Sequence, residues 1–83
     1  MNKEKYETFL RETQHTEKSI TSRVARLRKV ETLFQIDLDT VIHDKGKVND
    51  LLGRLKKEKL DSSNQNLSNA LRMYFECVNN IKL

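Results

Sequence analysis

The stretch Leu67-Ser68-Asn69-Ala70-Leu71-Arg72-Met73-Tyr74-Phe75-Glu76-Cys77-Val78 decides how the chain folds. Its apolar residues Leu67, Ala70, Leu71, Tyr74, Phe75 and Val78 fall at i, i+3, i+4, i+7, i+8 and i+11, a period that no strand can present on one face. So broad a stripe predicts a helix buried along its length, the central element of a bundle.

Working outward, the same period recurs. Ile20, Val24, Leu27, Val30 and Phe34 share one face of a long helix that opens after Thr16, whose hydroxyl suits the free amides of a first turn. Val48, Leu51, Leu52 and Leu55 predict a helix over 47–57 despite Gly53, following a turn at His43–Gly46, with Leu60 packing just beyond it. Tyr6, Phe9 and Leu10 mark a short first helix from an Asn2 cap to about Arg11. Asp37 reads as the cap of a brief helical turn ending near Ile42, and Ser62, Ser63 or Asn64 as the cap of the last helix.

The 83 residues hold no proline and two glycines, so little interrupts these helices. One core is all that such a length supports. The expected architecture is therefore all-α, a four- to five-helix bundle forming a single domain over residues 1–83. With one cysteine and no metal-ligand cluster, helix packing alone must stabilise it.

Composition also excludes function classes. A lone cysteine and no charged-then-apolar leader over Met1–Leu10 point to the reducing cytoplasm. No apolar run approaches the ~20 residues of a membrane span. His15 and His43 are far apart in sequence and lack positioned partners, so they read as surface residues rather than acid-base groups. Cys77 sits at the edge of the last stripe and reads as a small buried hydrophobe. Asp37, Asp39 and Asp44 fit caps better than a divalent-metal site, and no glycine loop for phosphate exists. No catalytic residue, cofactor, metal or small-molecule substrate is expected. The chain should act by binding.

Charge suggests what it binds. Residues 18–30 carry Lys18, Arg23, Arg26, Arg28 and Lys29 with no acid, whereas residues 31–44 carry Glu31, Asp37, Asp39 and Asp44 with no base. Arg23, Arg26 and Lys29 recur at i, i+3, i+6 down one flank of the second helix, with Lys18 and Ser22 on its outer face. Such a row suits phosphates, and guanidinium groups can also read guanine edges. A merely solvated helix usually interleaves both signs. Arg23 and Arg26 are expected to point away from the Ile20 stripe, so that removing them spares the fold. A second block, Lys45, Lys47, Arg54, Lys56, Lys57 and Lys59, is interrupted by Asp50 and Glu58 and reads as solvated surface. On the last helix, Asn66, Asn69 and Arg72 recur at i, i+3, i+6 on the outward face, with groups able to bond phosphates or base edges, and read equally well as ordinary polar surface.

The run Thr16-Glu17-Lys18-Ser19-Ile20 opening a helix, and the terminal Ser68-Asn69-Ala70-Leu71-Arg72-Met73-Tyr74-Phe75, resemble the SAM-like N-terminal core-binding domain of phage integrases and other tyrosine recombinases. The likeness spans about residues 3–80 and rests on pattern rather than on an invariant signature. It implies a four- or five-helix bundle gripping one face of double-stranded DNA, the catalytic tyrosine and its arginine and histidine partners belonging to a separate domain not found in these residues. The DNA-gripping role then falls on Lys18, Arg23, Arg26 and Arg72, while Tyr6 and Tyr74 lie on apolar stripes and are not nucleophiles. Two other readings stay open: a small stand-alone adaptor or inhibitor, of the kind phages encode, that binds a host protein, and a homodimer formed through an exposed apolar strip including Leu33, Met73 or Ile81.

Overall fold

Asn2 accepts a hydrogen bond from the Lys5 amide at 3.2 Å and opens α1, Lys3–Glu12. Thr16 does the same for α2, Glu17–Phe34, through the Ser19 amide at 3.1 Å. Asp37 caps a 3-10 turn, Leu38–Thr40, by accepting from the Asp39 amide. These three caps stand where the sequence put them, because each works at a fixed short offset. The computed structural model describes residues 1–83 and is completed by α3, Lys45–Lys57, and α4, Asn66–Asn79, with no strand. No helix is long and apolar enough to cross a membrane.

α4 packs against α1, α2 and α3 and is the centre of the bundle. Its Ala70, Leu71 and Tyr74 are fully buried in one core that also takes Tyr6 and Leu10 from α1, Ile20, Val24, Leu27 and Val30 from α2, and Val48, Leu51 and Leu55 from α3. Tyr6 and Tyr74 meet edge to face, ring centroids 5.4 Å apart, a favoured aromatic geometry. Both hydroxyls find partners. Tyr6 donates to the Ala70 carbonyl at 3.2 Å, and Tyr74 accepts from the Asn2 amide at 2.7 Å while donating to Asp39. Burial pushes the Tyr74 hydroxyl well above its ordinary pKa, and the neighbouring Asp39 carboxylate adds to the shift. The Cys77 thiol donates to the Lys5 carbonyl at 3.6 Å, so three hydrogen bonds and one ring contact fasten α1 and its cap to α4.

The Met1 ammonium bonds Glu31 at 2.8 Å and Asp37 at 3.1 Å. Burial alone would lower its pKa, but these carboxylates outweigh that effect and raise it. Glu31 also accepts from the Leu38 amide at 2.9 Å, which ties the end of α2 to the 3-10 turn.

Three local expectations need correction. α3 begins at Lys45 rather than Lys47, because Asp44 caps it through the Lys47 amide at 3.1 Å, and Gly46 therefore lies inside the first helical turn. The last helix is not capped by a residue beside its start. The flanking Gln65 is left-handed and its side chain caps nothing, and Asp61 reaches across the loop to accept from the Leu67 amide at 2.8 Å, the Ser68 amide at 2.9 Å and the Ser68 hydroxyl at 2.7 Å. Of the three expected caps only Ser62 contributes, accepting from the Asn66 amide at 3.2 Å. His15, expected at the surface, is half-buried, and its Nδ1 lies 3.0 Å from the Thr13 hydroxyl and 3.2 Å from the Leu10 carbonyl, closing the end of α1. Phe34 closes the α2 stripe half-buried beneath the Arg54 guanidinium, 4.6 Å from its ring centroid.

Candidate nucleic-acid interface

Eighteen residues make α2 the longest helix, about 27 Å from end to end. Its buried stripe fixes the rotation of the whole element and so decides where each base emerges. Lys18, Arg28 and Lys29 are exposed; Ser22, Arg23 and Arg26 are half-buried. Arg28 rises on the flank toward α1, where it shares shallow clefts with Lys3, and it was not among the sequence candidates. The acid-free run from Lys18 to Val30 contained the signal that could have included it.

Arg23 departs from expectation. Three positions beyond Ile20 and four before Leu27, it falls inside the arc that faces the core. Its Nε is buried without a hydrogen-bond partner. Both Arg23 and Arg26 lie close enough to the Tyr6 hydroxyl for their charges to act on it. Burial pushes that hydroxyl up to about 12, and the two guanidinium groups oppose the rise. The expectation that both side chains point clear of the core is therefore incorrect. Arg23 packs against it through its stem, as long basic side chains do while their heads seek water or an anion.

No carboxylate forms an ion pair with these five bases. The ion pairs of the molecule involve only Met1, Arg11 and Arg54 as cations. The two acids of α2 sit at its ends and are both engaged, Glu17 with Arg11 at 2.9 Å and Glu31 with Met1. Lys18, Arg23, Arg26, Arg28 and Lys29 consequently have no carboxylate at ion-pair distance, although Arg28 shares its clefts with Glu7 and Glu31, and the positive field is strongest away from that flank.

The α4 candidates lie elsewhere. Asn69 is exposed, bonding the Asn64 carbonyl at 3.5 Å and Arg72 at 3.4 Å. Arg72 lines a cleft with Lys56 and Lys59, and no residue of α2 shares it. Sequence placed Arg72 with the α2 bases; the bundle places it beside the second basic block.

Groups able to do chemistry are scattered. His43 is exposed in the turn before α3, and His15 is tied to the end of α1. Burial pushes the Cys77 thiol up, which disfavours the thiolate that a nucleophile needs. No three His, Cys, Asp or Glu side chains are grouped so as to hold a metal ion. Comparison with protein-family models, with curated proteins and with solved structures finds no match in any of the three.

Proposed function

We propose that the chain binds duplex DNA through its phosphate backbone along α2, the role implied by its resemblance to recombinase core-binding domains. The observation that carries the proposal is the set of five α2 bases with no ion-pair partner, on a helix whose own acids are both engaged at its ends. Arg23, Arg26 and Lys29 step about 4.5 Å along the helix axis from one to the next, and their long side chains give each the reach to meet a separate phosphate. Lys29, Lys18 and the Ser22 hydroxyl supply outer contacts. Arg26 and Arg23, braced at the core edge beside Tyr6, supply pre-oriented guanidinium groups that lose less freedom on binding.

The test is the salt dependence of duplex affinity. Log affinity should fall linearly with log salt by about 0.9 per phosphate neutralised, and Arg26→Ala with Lys29→Ala should make that slope shallower by about two units. This pair is preferable to one containing Arg23, whose removal also disturbs packing. An equal change from Lys45→Ala with Lys47→Ala would show that net charge alone governs binding. Absence of duplex binding at low salt would retire the proposal and shift the same bases to a protein partner, since arginine also favours protein interfaces.

A further inference from the structure

The C-terminal end of α3, the following loop and the first turns of α4 enclose a cleft of about 280 Å³. Lys56, Lys59 and Arg72 line it, together with the Ser62 and Ser63 hydroxyls, over an apolar floor from Leu52 and Leu55. The chain is held there by the end of α3, where Lys59 takes a left-handed conformation (φ 53°) and the Leu60 amide returns to the Leu55 carbonyl at 3.0 Å.

Asp61 is the one acid in the cleft, and it is not available to the three cations. One oxygen accepts from the Ser62 and Leu67 amides, both at 2.8 Å, and the other from the Ser68 amide and hydroxyl. The free amides at the start of α4 are thereby already satisfied and offer nothing to a ligand. Lys56 and Lys59 have no ion pair, and Arg72 makes only the 3.4 Å bond to Asn69. Three cations against one carboxylate leave a formal surplus of two positive charges.

We infer that this cleft binds a phosphomonoester. At neutral pH that group carries about −1.5 to −2 charge and three strong acceptor oxygens, matching both the surplus and the donors present. A backbone phosphodiester carries a single charge and compensates the cleft only in part. The volume lies just under the usual range for organic ligands, about 300 to 1,000 Å³, which limits the occupant to a phosphate with a small carrier. That carrier is either free in solution or the 5′ end of a nucleic acid strand. The site is independent of the α2 interface, because the two share no residue.

Backbone amide resonances followed during titration with inorganic phosphate test the inference. Saturable shifts should concentrate at Lys59, Ser62, Ser63 and Gln65. Lys59→Gln with Arg72→Gln should weaken binding by at least about tenfold, the expected loss for charge-assisted contacts. Both positions are exposed, so helix content should hold, and circular dichroism verifies it. Arg26→Gln with Lys29→Gln should leave phosphate binding unchanged, which separates failure here from failure of the DNA proposal. Shifts spread evenly over all basic segments, or no effect of the cleft variants, overturn the inference. A hairpin duplex with a 5′-phosphate, compared with its 5′-hydroxyl counterpart, identifies the carrier. A gain that depends on Lys59 and Arg72 assigns the cleft to strand ends, and equal affinity with phosphate binding retained assigns it to small phosphates.

Discussion

Replacing Asp61 with alanine should destabilise the fold more than any other single change at the half-exposed surface. The carboxylate serves the Ser62, Leu67 and Ser68 amides and the Ser68 hydroxyl, and Leu67 and Ser68 are 5% and 6% exposed, too enclosed for water to replace it. Loss of a helix cap costs about 0.5 to 2 kcal/mol, and a buried donor left without an acceptor about 1 to 3. A combined loss of about 2 to 4 kcal/mol is a large share of the roughly 4 to 12 kcal/mol that a chain this long can have. Urea unfolding followed by far-ultraviolet circular dichroism should show the midpoint falling by about 2 M or more, taking a slope near 1 kcal/mol per molar for so small a protein. A second arm uses pH. Burial would raise the Asp61 pKa, but the Ser68 hydroxyl and the backbone amides hold it below the ordinary value. A depressed folded-state pKa contributes stability that is complete above the unfolded value of about 3.9 and is lost as pH falls through the folded one. The stability gap between the native chain and Asp61→Asn should therefore be constant near neutrality and narrow below about pH 4. A midpoint shift under about 0.5 M, or a gap unchanged down to about pH 3, refutes the argument that this side chain anchors α4.

Leu71→Ala empties a fully buried position on the central helix and should cost about 2 to 5 kcal/mol, and a near-neutral melt would mean that α4 is not central. Gly53→Ala should act in the opposite direction. The position is an exposed helix interior where an added Cβ meets nothing within 4 Å, so thermal unfolding should report a gain of about 0.5 to 1 kcal/mol, and a loss would contradict the open surroundings of that turn.

How far the sequence could be read depended on the range of the interaction. The stripes of α2 and α4, the caps Asn2, Thr16 and Asp37, and the packing of Leu60 are all set by neighbours within one or two turns, and the spacing of residues displays them directly. Asp61 was missed because it acts on amides six and seven positions away across an irregular loop, a separation no capping rule specifies. Tyr74 with Asp39, and Met1 with Glu31, are pairs about thirty or more residues apart, fixed only when the helices take their relative positions. At the candidate interface, the acid-free run on α2 was legible as composition. The inward tilt of Arg23 was also legible, since its position lies within the apolar arc, but its charge masked that in a reading by residue type. That Arg72 joins Lys56 and Lys59 was not legible, because it depends on how α3 docks against α4.

The fastening of α1 to α4 also governs the order in which the fold can assemble. Asn2 with Tyr74, Tyr6 with Ala70, and Lys5 with Cys77 join positions 64 to 72 residues apart, spanning most of the chain. A ten-residue helix is too short to persist alone in water, where about 12 to 15 residues are marginal even for favourable sequences. During synthesis α1 therefore has only α2 to dock on, and the hydrogen bonds that fasten it to Ala70, Tyr74 and Cys77 wait until α4 follows. The part of the α2 apolar face that α4 covers stays open over the same interval. Joining positions so far apart carries a loop-closure entropy, and a chain cut before α4 has no means of making these contacts.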